Sequence, residues 1–120
     1  MDVRSILLVA AGGAVGATAR YGSHHLLERL AWPLPTLAVN LVGAFLLGAL
    51  LLGPNPAPEP MRLLFGVGLL GAFTTLSAYS VEVLEMWRAE AYGKATLHIL
   101  GNGIGGPAAA ALGWLAARVT

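Results

Sequence analysis

The stretch LLGAFTTLSAYS, residues 69–80, lies inside a long apolar run yet carries hydroxyl groups on Thr74, Thr75, Ser77, Tyr79 and Ser80. It also holds Gly71, a residue that weakens a helix. A segment that only had to cross a bilayer has no use for them, because polar groups in hydrocarbon are costly and face a bundle interior or a water-filled cavity. The rest of the chain shows that a bilayer is its solvent. Of 120 residues, 57% are apolar and 11% are charged, against roughly 25% charged in an ordinary soluble domain. There are too few polar side chains to coat a water-facing surface, so the chain belongs to the membrane class.

Working outward, the sequence predicts an all-α membrane protein of one domain, residues 1–120, with four spans of about the 20 residues a crossing helix needs. They run over 4–31, 34–53, 61–87 and 94–118. Between the second and third lies GPNPAPEP, residues 53–60, whose prolines cannot continue a helix. The third and fourth are joined by the short charged RAEAYGK, residues 88–94. Arg4 before an apolar run and Ala17-Thr18-Ala19 have the form of a cleaved leader, but the later apolar segments make the chain membrane-bound in either case. Trp32, Trp87 and Trp114 fall near span ends, as interfacial aromatic residues do.

Charge gives no single orientation. With four spans, Arg4, Arg62 and Arg118 lie toward one side and Arg29, Arg88 and Lys94 toward the other. The positive-inside rule is therefore balanced, which is either chance in a small chain with few charges or the mark of copies inserted in both directions and paired antiparallel. A bundle this small is also too thin to enclose a wide pore alone. Gly12-x-x-x-Gly16 and Gly101-x-x-x-Gly105 have the small-xxx-small form that lets helices approach closely. Net charge is +1 with no basic cluster, so nucleic acid is not an expected partner. The absence of cysteine removes disulfide, thiol and zinc–thiolate chemistry. No nucleophile–base pair, metal-ligand cluster or phosphate loop is evident, and the chain is read as a non-enzyme.

Polar residues within the spans supply the candidates. Arg20 is either a snorkelling interfacial side chain or a fixed positive charge at a vestibule. Asn40, in TLAVNLVGAF, has an amide that could tie two helices together or donate to a passing anion. His98, Asn102 and Gly106 fall at i, i+4 and i+8, on one face of the fourth span. Glu82 and Glu85 follow the core of the third span, and Glu82 is expected to pair with Arg20 or Arg88.

These motifs together resemble the Fluc (CrcB) fluoride channel family. GLLGAFTTLSAYS, residues 68–80, is similar to its third-helix G-x-x-G-G-x-T-T-F-S-T-F. GGAVGATARY, residues 12–21, is similar to its first-helix G-G-x-x-G-A-x-x-R-[YW]. PTLAVNLVGAFLLG, residues 35–48, is similar to its second-helix T-L-x-V-N-x-x-G-x-F-x-x-G. The resemblance covers nearly the whole chain and implies an antiparallel, dual-topology homodimer in the bilayer of the cell's inner (plasma) membrane. Its function would be to export fluoride passively from the cytoplasm and so relieve fluoride toxicity. It implies that the third helix breaks near its centre and that the backbone carbonyls of Gly71 and Thr74 hold a structural Na⁺ at the dimer centre. It implies an anion pathway of Asn40, Thr75, Leu76, Ser77, Tyr79, His98 and Asn102, with Arg20 near the vestibule. Two phenylalanines of the third helix normally offer ring edges to the anion. Here Leu76 and Tyr79 stand in their places, Ala78 replaces a threonine and Gly106 ends the polar stripe without a side chain. A heterodimer with a paralogous subunit is therefore an alternative to the homodimer. A proton-coupled exporter of the small multidrug resistance type is disfavoured, because such exporters need a membrane-embedded glutamate in the first helix. Here the first span has only Glu28, near its end. A non-conducting subunit of a larger complex would leave the hydroxyl-rich stretch and Asn40 without a purpose.

Overall fold

The computed structural model describes residues 1–119 and is all-helical. Helix α1 is Val3–Leu26 and α2 is Leu34–Leu52. A third long element follows, made of α3 (Glu59–Met61), a π-helical segment (Arg62–Leu70) and α4 (Gly71–Phe73). After two extended residues, α5 runs Leu76–Arg88. The chain ends in α6 (Tyr92–Gly103) and α7 (Gly105–Arg118). Among the described residues there is no strand. Three helical stretches of the described residues are long and apolar enough to cross a membrane: Val3–Leu26, Leu34–Leu52 and Glu59–Arg88.

Local chemistry sets the element ends. Asp2 caps α1, its carboxylate accepting the Ser5 amide at 2.8 Å. The helix stops at Leu26, short of the expected Ala31, and turns carry the chain to Pro33 and Pro35 at the head of α2. The span expected over 94–118 is two helices meeting at Ile104. Pro107, in the first turn of α7, has no amide to give to the Gly103 carbonyl, so the α6 ladder cannot run on unbroken.

Packing follows the glycines. A Cβ at Gly12 or Gly16 would overlap the backbone of Leu64 or Leu69, so α1 lies directly on the π-helical segment. On that segment, Gly68 would meet the Val9 carbonyl at 2.7 Å. The second close pair is α2 with α7, where side chains at Gly48 or Gly113 would strike the backbone at Ala110 or Phe45. Gly101 and Gly105 do something milder: a Cβ added there would meet only the tips of Leu37 and Leu41, at 3.0 and 3.1 Å. The closest contact of α7 on α2 thus lies at Ala110 and Gly113 rather than at the Gly101-x-x-x-Gly105 pair. The outer surface is apolar, as lipid contact requires, and Leu76 is 76% exposed on it.

Candidate functional site

The third span breaks at Thr74 and Thr75. Both are extended, with φ −80° and ψ 156° at Thr74 and φ −147° and ψ 118° at Thr75. Broken backbone at membrane depth persists only where its polar groups find partners inside the protein or line a cavity. Asn40 is the main partner. Its Oδ1 accepts the Thr75 amide at 2.8 Å, and its Nδ2 donates to the Thr75 carbonyl at 3.1 Å. Thr75 then restarts the helix, its Oγ1 accepting the Ala78 amide at 3.1 Å as an N-cap.

Both bonds take donors from carbonyls upstream. In an unbroken helix the Thr75 amide would bond the Gly71 carbonyl, and the Ala78 amide would bond that of Thr74. With those amides committed to Asn40 and Thr75, the Gly71 and Thr74 oxygens lose their i+4 donors. Gly71 is exposed on the outer face of the chain, at a groove shared with Leu47, Leu51 and Arg62.

A chain of hydrogen bonds runs from the break to the far end of α1. Asn40 Nδ2 donates to Asn102 Oδ1 at 2.8 Å, and Asn102 Nδ2 lies 2.9 Å from the His98 carbonyl and 3.1 Å from His98 Nδ1. His98 Nε2 is 3.0 Å from Glu82 Oε2. Thr36 Oγ1 donates to Glu82 Oε1 at 2.6 Å and stands 3.0 Å from His24 Nε2. His24 Nδ1 reaches the Arg20 carbonyl at 2.9 Å. That carbonyl can only accept, so His24 donates to it through Nδ1. Thr36 and His98 are buried, 1% and 2% exposed.

Glu82 therefore does not take the arginine partner expected of it. Among the described residues its partner on α6 is His98, through Nε2 and Oε2, and neither Arg20 nor Arg88 is within ion-pair distance. The reason is topological: α5 packs against α6, which puts the histidine on the carboxylate. The Tyr79 ring also meets His98 edge-on, with centroids 4.9 Å apart.

Two cavities meet at the break. One, of about 310 Å³, is lined by Asn40, Thr74, Thr75, Leu76, Tyr79, Asn102 and Gly103. The other, of about 610 Å³, is lined by charged and polar groups that include Arg20, His24, Thr75, Ser77, Glu82 and Glu85. Thr75 belongs to both. The structure thus gathers Asn40, Thr75, Leu76, Tyr79 and Asn102 on one side, with Arg20 and Ser77 on the other. His98 lies behind them in the hydrogen-bonded chain. Both Asn40 amide hydrogens are engaged, so it donates to an anion only by releasing Asn102 or Thr75. Gly106 has open space where a side chain would be.

Thr36 and His24 were not among the candidates. Their signal was spacing: Thr36 lies one turn before Asn40 and His24 one turn after Arg20, each on the same helix face.

The family model of CrcB-like proteins (Camphor Resistance, CrcB) matches residues 7–114. The chain is 46% identical over 123 residues to the fluoride-specific ion channel FluC of Phenylobacterium zucineum (strain HLK1), covering 97% of each. It is 43% identical over 109 residues to the fluoride-specific ion channel FluC 1 of Halobacterium salinarum, covering 91% of this chain and 90% of that one. It is also 43% identical over 115 residues to the fluoride-specific ion channel FluC 2 of Moorella thermoacetica, covering 92% and 94%. On the family model and this identity over nearly its full length, the chain belongs to the CrcB family.

Proposed function

We propose that this protein is a fluoride-selective channel that lets fluoride leave the cytoplasm passively across the inner membrane. The observation that carries the reading is the helix break fixed by Asn40, with Thr75 as the wall common to two cavities. Fluoride is small and strongly hydrated, so a path for it must replace water with close donors. The hydroxyls of Thr75 and Ser77, 3.3 Å apart, and the ring edge and hydroxyl of Tyr79 supply them at the break, joined by the amides of Asn40 and Asn102 when these release their present partners, with His98 behind. Leu76 forms an apolar part of that wall. Arg20 draws anions into the wider vestibule.

In this reading four spans cross the bilayer, the fourth made of α6 and α7, and two copies pair antiparallel. The balanced arginines and lysine and the exposure of Gly71 on the outer face support that pairing. The Gly71 and Thr74 carbonyls, stripped of their i+4 donors, are hard oxygen ligands suited to Na⁺. Two from each copy would hold one ion at the dimer centre, where it would neutralise the ends of the broken backbone. A heterodimer is the second reading. It is favoured by Leu76, which has no ring edge, and by relatives whose names carry the numbers 1 and 2.

Growth tests the reading in cells. In a bacterium lacking its own fluoride exporter, this chain expressed alone restores growth in fluoride, and failure to do so unless a paralogue is co-expressed selects the heterodimer. Leu76→Phe, which restores a ring edge at an exposed position, leaves efflux from liposomes unchanged or faster. A large loss would show that leucine is fitted to this pore.

A further inference from the structure

We infer that His98 is a positioning residue. It keeps the Asn102–Asn40 clasp on the break only as the neutral ring with its proton on Nε2. The inference rests on the channel reading for its flux readout, but the hydrogen-bond logic comes from backbone groups whose roles are fixed. The Thr75 amide must donate and the Thr75 carbonyl must accept, so Asn40 can face them in one way only. Its remaining Nδ2 hydrogen then points to Asn102, which must present Oδ1. The other end of Asn102 faces the His98 carbonyl, an obligate acceptor, which also demands Nδ2 there. An Asn102 Nδ2 held in that way requires His98 Nδ1 to accept. The ring proton therefore sits on Nε2, where Glu82 Oε2 receives it.

Every direction in this chain is set, and a second proton on His98 contradicts it. An imidazolium would aim Nδ1–H at the Asn102 amide hydrogens, and a flipped Asn102 would aim its oxygen at the His98 carbonyl. Titratable and charged groups face the ring from three helices. On α5, Glu82 meets its Nε2 and Tyr79 touches its face. On α1, His24 reaches Glu82 through Thr36, and Arg20 lines the vestibule with Glu82 and Glu85. On α6, Lys94 shares a cavity with His98. Efflux is accordingly present while the His98 ring is neutral and is lost when acid adds a second proton, because that proton forces Asn102 off the ring. The expected loss is about tenfold, the weight of one broken hydrogen bond to a buried partner.

The test pairs flux with spectroscopy. Fluoride efflux is measured above protein-free liposomes from about pH 8 to about pH 5, the interval over which histidine ordinarily charges. Wild type slows about tenfold toward acid. His98→Gln has an acceptor and a donor at comparable reach and gains no proton, so its profile is flat and it conducts faster than His98→Leu. Separately, ¹⁵N spectra of histidine-labelled wild type at neutral pH, assigned by subtracting His98→Gln, show His98 protonated at Nε2 alone. A flat wild-type profile, an acid fall that persists in His98→Gln, or an Nδ1-protonated ring each overturns the inference. If no variant conducts at any pH, the channel reading fails, and the ¹⁵N tautomer still decides the role of His98.

Discussion

Asn40→Asp abolishes fluoride efflux, slowing it at least about a hundredfold, while the protein still inserts and folds. The substitution changes little in shape and everything in hydrogen-bond direction. Asn40 presents one acceptor to the Thr75 amide and two donors, to the Thr75 carbonyl and to Asn102 Oδ1. A carboxylate keeps the first contact and turns the others into oxygen facing oxygen. Each half-buried acceptor left without its donor costs about 1–3 kcal/mol. Two such losses reach the ~3 kcal/mol that corresponds to a hundredfold, before the cost of a charge at membrane depth. A negative charge at the waist between the two cavities also repels the anion. Efflux from liposomes measures the effect, and circular dichroism with gel filtration in detergent separates it from misfolding. A variant that folds and conducts within about threefold of wild type would remove Asn40 from the centre of this account.

Gly16→Val prevents stable folding. The added side chain starts inside the Leu69 backbone, against which α1 is packed. Overpacking costs ~1–3 kcal/mol where neighbouring side chains can shift. Here the obstacle is main chain in the π-helical segment, so the loss lies at or above the top of that range. Gly13→Ala, one turn-face away with nothing within 4 Å of its Cβ, is neutral or stabilising. Thermal unfolding in detergent measures both, and equal melting of the two variants would show that α1 is free to move off the third span.

That the helix breaks within residues 69–80 was implied by the family resemblance. That the stretch is more than a plain span was legible because glycine, threonines and serines crowd into an apolar run, and hydrocarbon does not tolerate such groups without a purpose. Asn40 was legible for the same reason. What those hydroxyls do individually was not. Thr18, Thr74, Ser80 and Thr96 each donate to the carbonyl one turn back, the ordinary habit of a hydroxyl in a helix. Thr36, of the same chemistry, crosses to Glu82 instead. A single helical period identifies which residues share a face but not which faces meet. For that reason the His98–Asn102 stripe could be read from the sequence, while the pairing of His98 with Glu82 could not. Charge ranking alone pointed Glu82 to an arginine. The packing of α5 on α6 put a histidine there, and with it a ring whose proton has only one permitted place.

The most direct measurement is fluoride efflux from liposomes that contain only this purified protein, with Na⁺ present and no proton gradient. The account predicts a passive leak that passes fluoride, excludes chloride and is lost in Asn40→Asp. Efflux that appears only when a proton gradient is imposed would contradict it.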